Sequence, residues 1–125
     1  MPTYKPFEVV VVPFPFTDSA TTKRRPALVL STQGFNERAS HVVLAMITSR
    51  ENRGWPLDTQ IGDLSAAGLS HPSVVRMKLF TLDERFVLRK SGALAPADRL
   101  AEFFGLWALA VRRWLVGHHE TLSPL

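Results

Sequence analysis

Residues 7–31 read FEVVVVPFPFTDSATTKRRPALVLS, and this stretch decides the fold. Four valines at 9–12, flanked by Phe7, Phe14 and Phe16, are β-branched and aromatic side chains of the kind that pack on a pleated surface. They predict a buried strand from Phe7 to Phe16, brought to an end by Pro13 and Pro15, which cannot donate to a ladder. Thr17 to Thr22 is small and polar, with Asp18 and Ser19 as turn formers, and predicts a loop. Pro26 to Ser31 predicts the second strand. Pro26 is expected only at its opening, because a proline in mid-strand deletes a ladder hydrogen bond.

Outward from this pair, Gln33 to Ala39 predicts a short helical turn. His41 to Thr48 (HVVLAMIT) is almost wholly apolar and predicts a third strand covered on both faces. Arg50 to Trp55 is polar and glycine-containing, a second exposed loop. Pro56 to Ile61 predicts a short strand and Asp63 to His71 an irregular connection. In Ser73 to Leu82, Val75, Met77 and Leu79 alternate with Arg76, Lys78 and Phe80, which predicts a strand with one core face and one basic face. Phe86 to Leu94 supplies the last strand. Pro96 then opens a helix, with Asp98 in the first turn where the macrodipole favours an acid. Leu100, Phe103, Phe104, Trp107, Val111, Trp114 and Leu115 recur at steps of three and four, one apolar stripe. Arg112 and Arg113 lie near the end that favours cations, and Gly117 is the expected stop. Strands crowded into the first part of the chain, followed by one long helix, predict an α+β fold with a coiled antiparallel sheet or small barrel.

The chain has 125 residues, read as one domain over 1–125. No apolar run reaches the ~18 residues of a membrane span, and the N-terminus has no basic-then-apolar signal architecture. With no cysteine, disulfide scaffolds and thiolate metal sites are excluded. The expectation is a cytoplasmic protein. A net charge of +4 favours an anionic partner only weakly; the clusters Lys23-Arg24-Arg25, Arg50 with Arg53, Arg76 with Lys78, and Arg85 with Arg89 and Lys90 say more. His41, His71, His118 and His119 form no HExxH or other metal-ligating spacing, so no metal or cofactor is expected.

Three segments, Val11-Val12-Pro13-Phe14-Pro15-Phe16-Thr17-Asp18, Lys23 to Ser31, and Ile47-Thr48-Ser49, resemble the MazF/PemK family of toxin–antitoxin ribonucleases. The similarity continues through Gly68-Leu69, Ser73-Val74-Val75-Arg76, Phe80 to Asp83 and Gly92-Ala93-Leu94, in the family's order and spacing. The resemblance implies a small SH3-like antiparallel β-barrel with a C-terminal helix. It also implies a homodimer that cleaves single-stranded RNA without metal, and a cognate antitoxin that covers the substrate groove. The expected homodimer contact is part of the C-terminal helix or the strand at 73–82.

On that resemblance, Arg25 matches the family's catalytic arginine and Thr48 its catalytic threonine. A guanidinium can hold two phosphate oxygens at once, and a hydroxyl can donate to a non-bridging oxygen or orient the 2′-OH. Arginine cannot serve as the general base, since its pKa exceeds about 12; Asp18, Glu8 or water is left as acceptor. Lys23, Arg24, Arg50, Arg53 and Lys78 are expected on phosphates, with Ser49 and Arg76 beside them. Phe16 and Trp55 are expected to stack on bases. The chain departs from the family's pattern in two places. Phe7-Glu8 replaces its Gly-Asp, and Lys78 stands where the PemK-like branch has an acid two residues after the arginine, here Arg76. A catalytically weak RNA- or antitoxin-binding homologue therefore stays open. A gyrase-poisoning toxin of the same fold is the remaining alternative, though the chain ends TLSPL rather than Trp-Gly-Ile.

Overall fold

The computed structural model describes residues 3–14, 23–102, 105, 106 and 110. In chain order the elements are β1 (Glu8–Phe14), β2 (Lys23–Val29), α1 (Gln33–Ala39), β3 (His41–Ser49), β4 (Thr59–Gln60), α2 (Leu64–Ala67), β5 (Ser73–Asp83), a 3₁₀ turn (Glu84–Phe86) and β6 (Arg89–Ala93). The strands form one antiparallel sheet in the order β4-β5-β3-β2-β1-β6. It curls into a half-barrel, with a C-terminal helix that covers residues 96–102 and includes 105, 106 and 110. The small barrel-like sheet with a terminal helix is the architecture expected above.

Apolar residues on both sides of the central strands explain why β1, β2 and β3 lie in the middle. Val9, Leu28, Ala45, Ile47 and Val75 share one cluster, closed by Ile61, Ala67 and Leu94. Val10, Val12, Ala27, Val29, Val42 and Leu44 form a second cluster, against which Tyr4, Met46, Phe80, Leu82 and Val87 pack. Adjacent residues such as Val9 and Val10, or Leu44 and Ala45, belong to different clusters, so the clusters occupy opposite faces of the sheet. Val9, Val10 and Val12 are fully buried, and each such valine contributes roughly 1.5–3 kcal/mol as an upper estimate.

Several boundaries differ from expectation. β2 begins at Lys23, three residues before Pro26, because Phe14, Pro13 and Val12 pair with Lys23, Arg24 and Arg25. β4 shrinks to two residues. Leu64–Ala67 is a helix, capped by the Asp63 side chain and ended by Gly68 in the left-handed region. Glu84–Phe86 turns before β6 starts. β5 does not keep its expected faces: Met46 pairs with Arg76 but Ala45 with Leu79, so Met77 and Lys78 form a bulge. Beyond it Phe80 packs on the core and Leu79 is exposed. Such bulges bend and twist a strand, here helping to curl the sheet.

In the C-terminal helix, the buried described side chains are Asp98 and Glu102, while Leu100 of the expected stripe is exposed. Asp98 does more than complement the helix dipole: its carboxylate oxygens accept from the Gly62 and Asp63 amides at 2.8 and 2.9 Å, tying the helix to the segment before α2. Phe103, Phe104, Trp107, Val111, Arg112, Arg113, Trp114, Leu115 and Gly117 lie outside the described residues. Among the described residues, no helix is long and apolar enough to cross a membrane.

Candidate active site

Pro26 creates the opening on which the site is built. Leu30 donates its amide to the Val43 carbonyl, so the even-numbered backbone groups of β2 face β3. Pro26 therefore turns its missing N–H toward β3. The β2–β3 ladder stops at Ala27↔Met46, while β2 stays on β1 as far as Phe14↔Lys23 and β3 stays on β5 as far as Ser49↔Ser73. The two strands part, and a cleft of about 450 Å³ lies between them. Continued by two residues, the register sets Arg25 across from Thr48.

Arg24, Arg25, Thr48, Ser49, Ser70, His71, Arg89 and Ser91 line this cleft, on a floor of Val11, Pro26, Ile47 and Leu69. Arg24, Arg89 and several hydroxyls, with no carboxylate among the lining residues, favour an anion there. Thr48 is almost fully buried. Its hydroxyl oxygen accepts from Asn52 Nδ2 at 2.6 Å, so the hydroxyl proton is left to donate elsewhere. Asn52 is itself fixed by its amide to the Ser49 carbonyl at 3.1 Å, and Ser49 Oγ accepts from the Glu51 amide at 3.3 Å. This polar turn after β3 fixes the Thr48 side chain, which by strand alternation shares a face of the sheet with Arg25 and Arg76, opposite Ile47 and Ser49.

A second group stands beside the first. Arg76 holds Asp58 with both Nε and Nη2, at 3.2 and 3.0 Å, and donates from Nη2 to the Arg53 carbonyl at 2.6 Å. Arg76 and Lys78 both approach the Trp55 ring, at 5.9 and 5.7 Å from its centroid. The ring is 44% exposed, so a face or edge remains for a ligand. The turn at 50–58 links the groups, since it bonds Thr48 through Asn52 and Arg76 through Asp58.

The structure thus brings Arg24, Arg25, Thr48 and Ser49 to one cleft, and Arg53, Trp55, Arg76 and Lys78 to a neighbouring cluster. Lys23 and Arg50 are exposed and line neither. Phe16 and Asp18 lie outside the described residues. Glu8 is not at the cleft: it sits four residues along β1 from Val12, about 13 Å at strand spacing, accepting from the Lys5 amide at 2.7 Å and paired with Lys90. Sequence reasoning missed Asn52, Asp58, His71 and Arg89 as neighbours of the site. Nothing in their spacing marks them; they arrive there through the turn at 50–58, the segment before β5, and β6. Among the described residues, no three potential metal ligands cluster.

Residues 5–102 match the family described as PemK-like, MazF-like toxin of type II toxin–antitoxin systems. The chain belongs to that family. Its members' architecture recurs in solved structures. One is MazF (Form-I) from Deinococcus radiodurans, at 27% identity and TM-score 0.65, covering 88% of this chain and 98% of that one. A second is MazE-MazF (Form-II) from the same organism, at 20% identity and TM-score 0.67, covering 88% and 97%. An endoribonuclease in complex with its cognate antitoxin, from Mycobacterial species, aligns at 17% identity and TM-score 0.65, covering 85% and 91%. Comparison with curated protein sequences gives no match. Arg25 and Thr48 stand on the two strands that part at Pro26.

Proposed function

We propose that this toxin is an endoribonuclease that cleaves single-stranded RNA, independently of the ribosome and of metal, by attack of the substrate's 2′-OH on the adjacent phosphate. The observation that supports the reading is that Arg25 and Thr48 stand on the two strands that part at Pro26, in step with Arg76 on one face of the sheet. Arg25 neutralises the charge that builds on the phosphorane, and Thr48 donates to a non-bridging oxygen. A single-stranded substrate suits the exposed Trp55 ring, which can stack on one splayed base next to the cleft. In this reading the toxin works in the cytoplasm as a homodimer and binds a cognate antitoxin, as the endoribonuclease of Mycobacterial species does.

A catalytically silent, RNA-binding homologue is the second reading, and Lys78 favours it. That side chain lies over Trp55, so this position brings no acid to the site. Purified protein with single-stranded RNA and EDTA separates the two. The expected result is cleavage leaving 2′,3′-cyclic phosphate ends, abolished by a 2′-deoxy residue at the cut. Salt-sensitive binding without cleavage would establish the silent homologue instead.

A further inference from the structure

We infer that the cleft at the Pro26 gap is a second binding site, which takes a phosphate of the RNA strand other than the one being cleaved. The choice of RNA rests on the ribonuclease reading above. The two faces of the sheet keep the sites apart. Arg25 lies opposite Val12 and Thr48 opposite Val74, so both side chains project from the face of Val10, Ala27 and Leu44. Arg24 lies opposite Pro13, Arg89 opposite Val11 and Ser49 opposite Ser73. These three project from the face of Val9, Leu28 and Ile47, the side on which Leu69 also packs.

The charge on this side is not neutralised. Elsewhere on the sheet Arg76 is paired with Asp58, and Lys90, the neighbour of Arg89, with Glu8. Arg24 and Arg89 are exposed, and among the described residues neither guanidinium pairs with a carboxylate. They flank β1 from β2 and β6 and line the same cleft, so a phosphate there is held from two sides. Ser49 Oγ accepts from the Glu51 amide, which leaves its proton to donate.

Below these donors, Val11, Pro26, Ile47 and Leu69 make an apolar floor in a space of about 450 Å³. A cationic rim over an apolar floor suits a nucleotide better than a bare ion, with phosphate on the rim and sugar or base over the floor. The path from the catalytic face is short. Arg24 and Arg25 are consecutive on β2, and Thr48 and Ser49 on β3, so each strand offers a group to both faces. Between them the β2–β3 ladder has already stopped at Ala27↔Met46. A strand whose scissile phosphate sits at Arg25 and Thr48 continues over this gap, and a flanking phosphate arrives at Arg24 and Arg89.

The test measures binding of 2′-O-methyl RNA, which has no 2′-OH to attack, as mixed-sequence strands of about 4 and about 12 nucleotides. Wild type should bind the longer strand about tenfold more tightly, and R24Q/R89Q should lose most of that advantage. The slope of log affinity against log salt for the longer strand should fall by about 0.7, the share of one phosphate. R24Q and R89Q singly should each show part of the loss. Arg38→Gln, on α1 at the other end of β2 and β3, removes one charge and should keep the wild-type preference. An R24Q/R89Q variant that keeps the preference, or an equal loss in Arg38→Gln, would overturn the site. Weaker binding of a cognate antitoxin with RNA binding unchanged would overturn it too, and mark the cleft as a protein contact. Cleavage of unmodified RNA by wild type is scored separately; its absence would remove the ribonuclease reading while the length preference still decides the cleft.

Discussion

At the residue scale, the feature that most constrains the chemistry is the Asn52–Thr48 contact. A threonine hydroxyl can donate or accept, and in a polar cleft it would sample both. At 2.6 Å the Asn52 amide occupies the oxygen, which turns the hydroxyl into a committed donor. Leaving it so costs no proton rearrangement when charge develops on the phosphate. Asn52→Ala should therefore slow RNA cleavage by roughly tenfold or more while leaving KM within about twofold, because it removes preorganisation rather than binding. Asn52→Ala with unchanged kcat would show that Thr48 does not depend on this contact.

At the element scale, β2 and β5 show what the sequence carried and what it did not. The valine run and the apolar His41-to-Thr48 segment were legible because burial on both faces requires them to be apolar. The position of Pro26 was not. Its meaning depends on which neighbour its missing N–H faces, and only the sheet order decides that. The β5 alternation failed at Met77 and Lys78 for a similar reason: a bulge is set by the partner strand, not by its own pattern. Arg25 and Thr48 were singled out through the family's motifs, whereas Asn52, Asp58 and His71 belong to connections whose path no local pattern fixes. Gly68 governs one of these paths. Its φ is +72°, and a Cβ there would lie 2.1 Å from the Ser91 carbonyl oxygen, where β6 bulges against β1 between Gly92 and Lys90. Gly68→Ala should cost roughly 2–5 kcal/mol, measurable as a lowered midpoint in urea unfolding. A midpoint within error of wild type would mean that α2 and β6 separate at little cost.

At the scale of the whole molecule, the buried described side chains of the C-terminal helix are two carboxylates, and one of them has no hydrogen-bond partner among the described residues. Glu102 is fully buried, and neither of its oxygens has a hydrogen-bond partner among the described residues. Thr59 is its polar neighbour, but that hydroxyl donates to the Leu57 carbonyl at 3.3 Å. Burial therefore governs, and it pushes the carboxyl up from 4.5 to about 7. The unfolded chain releases this proton near pH 4.5, whereas the folded chain keeps it until about pH 7. Between those values the folded state binds more protons, so stability falls as pH rises. The contribution is present in full below pH 4.5 and lost on passing 7, on the order of 3 kcal/mol. Thermal unfolding followed from pH 5 to pH 8 should show a Tm that declines for the wild-type chain, and a smaller decline for Glu102→Gln, which cannot ionise. Equal declines in the two proteins would place the linkage on other groups, and would mean that the helix reaches its seat on the sheet with Glu102 already solvated.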